Sequence, residues 1–180
     1  MDLALTESQT LLKDAANSFM EIELPKQRVR EVDESPTGFN QDIWQKMCNN
    51  EWAGMGIPAE YGGSGNSFTD QAVLHEVLGN FACSSPLLDS CVLSAQVILA
   101  LGDESQKSSL LPAIAKGQQI CAFAFTEPEY GWGPEAIKMS ATSQGVLNGT
   151  KVFVPWAHVA DQILVVARTS EGATPDQGIS

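Results

Sequence analysis

The sequence predicts an α+β fold, in which an N-terminal all-α helical bundle is followed by an incomplete antiparallel β domain. Three observations support this prediction. Apolar residues recur at helical spacing up to about residue 118. From Gln119 onward, short runs rich in β-branched and aromatic residues replace that spacing. Asn148-Gly149 is a strong signal for a hairpin turn between two such runs. We therefore expect a helical domain at 1–118 and a partial β domain at 119–180.

The first helices are indicated by caps and by apolar periodicity. The residues from Thr6 to Gln9 form a capping box, and apolar side chains follow at helical spacing until Pro25 closes the segment. A second amphipathic stretch runs from about Asn40 to Asn49 and ends before a glycine-rich loop. Residues 68–82 then repeat apolar side chains in the pattern of a buried helix.

Two further helices are predicted before the pattern changes. Ser85 is expected to cap a long apolar helix that has Pro86 in its first turn and reaches Gly102. Its length and apolarity favour a place at the centre of the bundle. Asp103 is expected to cap the next helix, which should be interrupted at Pro112 and stopped by a glycine soon afterwards.

Three segments carry the predicted strands, at 120–126, 137–155 and 160–169. Residues 172–180 are turn-like and lead into what could be another strand. Three or four strands with open edges make a poor independent sheet unless other elements cover them. We therefore expect this sequence to be a fragment of a longer chain.

Composition and charge exclude several classes of function. The chain has 180 residues, is 43% hydrophobic and carries a net charge of −12, so nucleic acids and anionic membranes would meet long-range repulsion. It has no apolar run of about 18 residues, which argues against membrane insertion, and no signal peptide is recognised. The four cysteines form no metal-binding or CxxC pattern, so we expect buried thiols and a cytoplasmic location.

Several residues could carry chemistry, and each also has a structural interpretation. The glycine-rich loop after 122–125 is either a cofactor cradle or a plain turn, and it lacks the G-x-G-x-x-G fingerprint. The two histidines are either general bases or structural residues, and neither has a recognisable nucleophile nearby. Glu127 and Asp161 are interpreted as carboxylates at a turn or at the end of a helix. Three aromatic residues either stack on a planar ring or pack in the core: Trp132, Phe153 and Trp156.

Five stretches together resemble the N-terminal part of the acyl-CoA dehydrogenase family. They lie at 57–65, 101–118, 122–131, 147–161 and 163–169, and the T-E-P-x-x-G element in the third is followed by G-x-K and A-D in the fourth. The resemblance implies an N-terminal helical domain, a middle β domain and a C-terminal helical bundle that this sequence lacks. It also implies FAD as cofactor, an acyl-CoA substrate, an electron-transfer flavoprotein as electron acceptor, and assembly into homo- or hetero-oligomers.

The resemblance also implies which residues line the flavin. Those expected at the cofactor site are Phe123, Phe125, Thr126, Gly131, Trp132, Phe153 and Pro155. Trp132 and Gly133 stand where the family usually has Ser and Asp, and Pro155 stands where Thr or Ser is frequent. No catalytic residue is expected in this chain, because the family's catalytic glutamate usually comes from the C-terminal bundle.

Three functions are consistent with these observations. The first is a fragment of a flavoenzyme that dehydrogenates an acyl-CoA thioester when the C-terminal domain completes it. The second is a non-catalytic subunit of a hetero-oligomer, whose own flavin site has degenerated. The third is a helical interaction module that the β segment merely caps.

Overall fold

All α-helices of the described chain lie before residue 120. The computed structural model describes residues 4–129, 131–170 and 174–180. The helices are α1 (Glu7–Glu23), α2 (Lys26–Asp33), α3 (Gln41–Asn49), α4 (Phe68–Asn80), α5 (Ala95–Leu101) and α6 (Glu104–Ala115). A π-helical segment, Leu87–Ser94, runs directly into α5. No helix within the described ranges is both long and apolar enough to cross a membrane.

Side-chain caps fix where the predicted helices begin. At the start of α1, the Thr6 hydroxyl accepts the Gln9 N–H at 3.2 Å, and the Gln9 side chain accepts the Thr6 N–H at 3.0 Å. Asp103 and Gln106 make the same reciprocal pair at the start of α6. Each box satisfies two backbone donors that would otherwise have no partner in the helix. The caps predicted at Thr6 and Asp103 are confirmed.

Three details of the helical part differ from the sequence prediction. Helix α2 was not predicted, because its eight residues are mostly charged or polar and show little apolar periodicity. The helix after Pro86 begins at Leu87 without a side-chain cap, so Ser85 does not cap it. Pro112 lies inside α6 and does not interrupt it. The buried side chains on either side, Leu111 and Ile114, keep that turn packed on the core despite the backbone hydrogen bond that proline cannot make.

The strands form two small pairs. Strand β1 (Cys121–Ala124) pairs with β4 (Gln162–Val165) in parallel, with Cys121 opposite Gln162. Strand β2 (Ser140–Ala141) pairs with β3 (Leu147–Asn148) in antiparallel fashion. The α+β class is therefore confirmed, whereas the β1–β4 pair differs from the antiparallel arrangement that was expected. A parallel pair needs a long crossover connection, which residues 125–161 provide.

The hairpin turn was predicted at the wrong place. Asn148 lies in β3, opposite Ser140, and is not part of the turn. The chain reverses before it, where the Thr142 hydroxyl accepts the N–H groups of Gln144 at 3.3 Å and Val146 at 3.1 Å. Gly145 has φ +77°, which glycine adopts without strain. A side-chain bond from threonine therefore sets this turn, and the Asn-Gly pair does not.

One hydrophobic core joins the helices to β1. It contains Trp44, Met20, Met47 and Leu74 from the bundle together with Ile120 and Cys121. All four cysteines have free thiols; three of them are buried as expected, and Cys83 is half-buried. Burial raises the pKa of the Cys48 thiol to about 12 and that of Cys83 to about 11. These thiols are therefore protonated at neutral pH and packed as small apolar groups.

Candidate functional site

Strand β1 is held against the π-helical segment by two serines. The Cys121 N–H donates to the Ser90 hydroxyl at 3.0 Å, and the Ser94 hydroxyl donates to the Cys121 carbonyl at 3.2 Å. Both serines are completely buried. Just before the strand, the Ile120 N–H donates to the Asp161 carboxylate at 2.8 Å, so Asp161 anchors the start of β1. The loop that follows β1 therefore leaves the bundle from a fixed point.

Phe123 and Phe125 lie side by side on one face of the strand and its continuation. Residues two apart in a strand point to the same side. Their rings stack with centroids 6.4 Å apart and planes inclined by 18°. Both residues are half-buried, so their rings form an aromatic surface that is still accessible. Phe123 and Phe125, two of the residues expected at the flavin, thus lie together in the structure, in an arrangement that suits a planar ring system.

Thr126 connects this aromatic surface to the segment that carries Phe153. Its carbonyl accepts the Val152 N–H at 2.9 Å, which places the two segments next to each other. The Thr126 side chain is half-buried, and its hydroxyl makes no hydrogen bond with any residue in the described part of the chain. That hydroxyl is therefore able to bind a polar group of a ligand lying against Phe123 and Phe125.

Phe153 is held in an unusual conformation at the surface. Its φ is +51°, in the left-handed region, and 77% of its area is exposed. Such a conformation is costly for a residue with a large side chain and is frequent at functional sites. It also explains why residues 151–154 lie outside any strand although the sequence favours one there.

Pro155 begins a turn that rests on the helical part of the protein. Pro155 itself is exposed. Trp156, with φ +61°, packs edge-on against Phe39 at 6.1 Å. The His158 Nε2 atom lies 2.8 Å from the Thr37 carbonyl oxygen. Both contacts join the turn to the segment after α2, so His158 and Trp156 have structural roles here.

The glycine-rich loop contains the remaining expected site residues, Gly131 and Trp132. A Cβ atom at Gly131 would collide with the Ala136 side chain, so this glycine is required by a close approach within the chain itself. Trp132 is 95% exposed, and its indole is therefore not packed against the other expected site residues. A Cβ atom at Gly133 would likewise collide with the Glu135 carboxylate.

Arg168 holds the far side of this loop, and sequence reasoning did not single it out. Its guanidinium donates to the Ile137 carbonyl at 2.7 Å and to the Pro134 carbonyl at 2.8 Å. It also donates to the carbonyls of Pro175 at 2.8 Å and Gln177 at 3.1 Å. One planar side chain therefore joins residues 134–137 to the C-terminal end of the described chain.

A buried ion pair between Glu127 and Lys151 is the main feature that sequence reasoning missed. Glu127 was interpreted as a turn or helix-end carboxylate, but it is only 5% exposed. Its Oε1 lies 2.8 Å from the Lys151 ammonium, whose side chain is 6% exposed. The carboxylate also accepts the N–H groups of Lys138 at 2.9 Å and Met139 at 3.0 Å. The matched T-E-P and G-x-K elements contain both residues, but nothing in a single sequence shows that they pair.

Electrostatics at Glu127 favour the charged carboxylate. Burial raises its pKa, but the Lys151 ammonium and the N–H groups of Met139 and Lys138 outweigh that effect, so the pKa lies below its ordinary value. Within the described residues, no group of three or more histidine, cysteine or acidic side chains is placed to hold a metal ion. The arrangement therefore offers an aromatic surface, a hydroxyl and a fixed backbone, which suit the binding of an organic ring.

Comparisons with known proteins agree with the resemblance. Residues 6–118 match the family described as acyl-CoA dehydrogenase, N-terminal domain. The NADH-dependent acryloyl-CoA reductase of Anaerotignum propionicum is 34% identical over 175 residues, which cover 94% of this chain and 44% of the relative. The ChsE4-ChsE5 complex of Mycobacterium tuberculosis superposes with a TM-score of 0.84 at 26% identity, over 99% of this chain and 47% of the neighbour.

A glutaryl-CoA dehydrogenase from Mycobacterium smegmatis in complex with FADH2 also has a TM-score of 0.84, at 27% identity over 93% of this chain and 44% of the neighbour. The chain thus spans less than half the length of these relatives. The match to the family covers most of the helical part, and the structural similarity extends through the strands. The chain belongs to the acyl-CoA dehydrogenase family.

Proposed function

We propose that this chain forms one wall of the FAD site of an enzyme that dehydrogenates an acyl-CoA thioester between its α and β carbons. The observation that carries the proposal is the pair of stacked rings, Phe123 and Phe125, followed directly by Thr126, whose hydroxyl makes no hydrogen bond with any described residue. Family membership and the similarity to a dehydrogenase that holds FADH2 support it. FAD, when bound, supplies the hydride acceptor.

Each expected site residue has a role in this proposal. Phe123 and Phe125 pack against the flavin ring, and Thr126 donates or accepts a hydrogen bond at its polar edge. Gly131 lets the loop pack against Ala136, and in this tight conformation the loop backbone approaches the cofactor. Phe153 presents an exposed ring beside the flavin. Pro155 and Trp132 border the same site, and at these two positions the chain departs from the family pattern. The base that removes the α-proton comes from a C-terminal helical domain.

In this proposal, residues 1–118 form an N-terminal helical domain and residues 119–180 form part of a middle β domain. The family match ends at residue 118, and β1 begins three residues later, at Cys121. An electron-transfer flavoprotein is the proposed electron acceptor, and the proposed enzyme is an oligomer.

The test is to determine the coding sequence beyond the codon for Ser180 and to express the whole open reading frame. The purified protein should contain FAD, and an anaerobic addition of its acyl-CoA substrate should bleach the flavin absorbance. A panel of short, branched, aromatic and steroid-derived thioesters would identify that substrate. The reverse reaction, with an enoyl-CoA and reduced dye, should be included because one relative is a reductase. An FAD-containing protein that no thioester reduces would refute the proposal.

A second candidate function is that of a flavin-site-degenerate subunit in a hetero-oligomer. The specific observation is Trp132: a bulky, 95% exposed indole occupies the position where the family usually has serine. The similarity to the ChsE4-ChsE5 complex makes unequal pairing relevant. Native mass spectrometry of the protein purified from its source would test this. A second family member in the complex would support it, and a homo-oligomer with full flavin occupancy would exclude it.

A further inference from the structure

We propose that Glu127 and Lys151 are a positioning pair that fixes the backbone around Thr126, and hence the flavin wall, before any cofactor binds. This inference rests on the proposed function and adds to it two residues that would not touch the cofactor. The Lys151 ammonium donates to the Phe125 carbonyl at 2.9 Å and to the Glu127 carboxylate at 2.8 Å. One cation therefore binds the residues on both sides of Thr126.

The pair is built as a structural joint between three segments. The carboxylate of Glu127 accepts the N–H groups of Lys138 and Met139, so it ties residues 125–127 to residues 138–139. Lys151 ties the same residues to the segment that contains Phe153. Neighbouring Val152 adds a backbone bond to Thr126. These bonds fix the position of Thr126 relative to Phe153.

Burial makes this joint different from a surface ion pair. Exposed pairs contribute little because water screens them and because long side chains lose entropy. Glu127 and Lys151 are 5% and 6% exposed, and each makes further hydrogen bonds to the backbone. Removing one partner would leave the other as an uncompensated buried charge. We therefore expect single substitutions to displace the loop, and the double substitution to be milder.

The test measures local order in the 180-residue chain, without any cofactor. The variants are Lys151→Met, Glu127→Gln and the double substitution. Lys13→Met is the matched control, since it breaks the exposed pair between Lys13 and Glu76. Amide hydrogen exchange would be followed at Val152 and Met139, and in α4 as a reference for global stability.

We expect Lys151→Met to lower protection at Val152 and Met139 by about tenfold or more beyond any loss of protection in α4, because global destabilisation lowers protection in both places. At these two amides, the double variant should lose less protection from exchange than Lys151→Met does, and the control variant should lose none. An equal loss in α4 would show that the pair only adds global stability, and unchanged protection at Val152 would show that it positions nothing. Either result would overturn the proposal.

The cofactor provides a second, separate readout. In the complete FAD-containing protein, Lys151→Met should weaken FAD binding and alter the visible flavin spectrum, whereas Lys13→Met should do neither. If the exchange data show local loosening but FAD affinity and spectrum are unchanged, the role in the cofactor site is wrong. If the complete wild-type protein holds no FAD at all, the proposed function fails, and the exchange experiment still decides whether the pair positions the loop.

Discussion

Phe153 combines a strained backbone with an exposed ring, which is an unfavourable combination for stability alone. Its φ of +51° would suit glycine, and 77% of the residue's area is exposed. Left-handed conformation costs an ordinary residue about 1–2 kcal/mol. The chain keeps a phenylalanine there, which agrees with a role for the ring in binding a ligand.

Two substitutions separate the backbone of Phe153 from its ring. We expect Phe153→Gly to be about 1 kcal/mol more stable than Phe153→Ala, because only the glycine relieves the positive φ. Urea unfolding of the two variants measures this difference. Both should weaken FAD binding by the complete protein to a similar extent, because both remove the ring. If only the glycine variant binds weakly, backbone flexibility and not the ring accounts for the effect.

Glu127 should make the stability of the protein sensitive to acid. Its pKa is lower in the folded protein than the ordinary value of 4.5, so its contribution to stability is complete above that value and is lost as pH falls through the folded pKa. Glu127→Gln should therefore cost about 3 kcal/mol at pH 7, and the difference from wild type should shrink below about pH 4.5.

Urea unfolding at several pH values provides the measurement for Glu127. Glu76→Gln is the control, because Glu76 belongs to an exposed pair and its loss at pH 7 should cost less than about 1 kcal/mol. A difference between Glu127→Gln and wild type that does not change with pH would contradict the role given to the buried carboxylate.

The π-helical segment Leu87–Ser94 shows how tertiary contacts decide local structure. The caps at Thr6 and Asp103 were predictable because both partners lie within four residues of each other. The π-helical turns were not predictable from the sequence, because their buried serines form hydrogen bonds with Cys121, which lies 31 residues from Ser90. No local pattern reports such a partner.

Ser90 should be important for joining the bundle to β1. Ser90→Ala leaves the buried N–H of Cys121 without its acceptor, which should cost about 1–3 kcal/mol. Ser108→Ala is a matched control, because Ser108 is exposed in α6 and alanine is the better helix former. Urea unfolding compares the two. Equal stability of the two variants would show that the hydroxyl of Ser90 does not secure the strand.

The residues of the candidate site are expected from the family resemblance, and alternation within a strand adds only that two of them share a face. Phe123 and Phe125 are two residues apart and share a face, as the sequence indicates. Glu127 and Lys151 are 24 residues apart, and their pairing depends on how the crossover connection folds back. The sequence did not predict the parallel β1–β4 pair, because the partner of β1 lies far along the chain. It did not predict the turn at Thr142, because a hydrogen bond to the threonine side chain outweighs the local turn preference of Asn-Gly.

The helical and β parts of the chain are joined by two sets of contacts that lie far apart in the sequence. Ser90 and Ser94 hold β1, while Trp156 and His158 dock the turn after Phe153 on the segment that follows α2. The proposed flavin wall is thus attached to the bundle on both sides. We infer that this wall is formed before the rest of the cofactor site is added.

A preformed wall does not by itself bind a cofactor tightly. Trp132 and Phe153 are 95% and 77% exposed, so a flavin placed against this chain would be covered on one side only. Affinity increases tenfold for each 1.4 kcal/mol, so losing the contacts of the opposite side should weaken binding by at least about 100-fold. We expect residues 1–180 alone to bind FAD at least that much more weakly than the complete protein does.

Quenching of flavin fluorescence in a titration with the 180-residue chain, and with the complete protein, measures both affinities. Phe125→Ala serves as a site-specific control: it should reduce the affinity of the complete protein strongly and abolish whatever weak binding the 180-residue chain shows. Thermal unfolding of the variant would confirm that the fold is retained. Tight, stoichiometric binding of FAD by the 180-residue chain would contradict this prediction, because it would mean that the wall formed by this chain is sufficient and that FAD needs no second side.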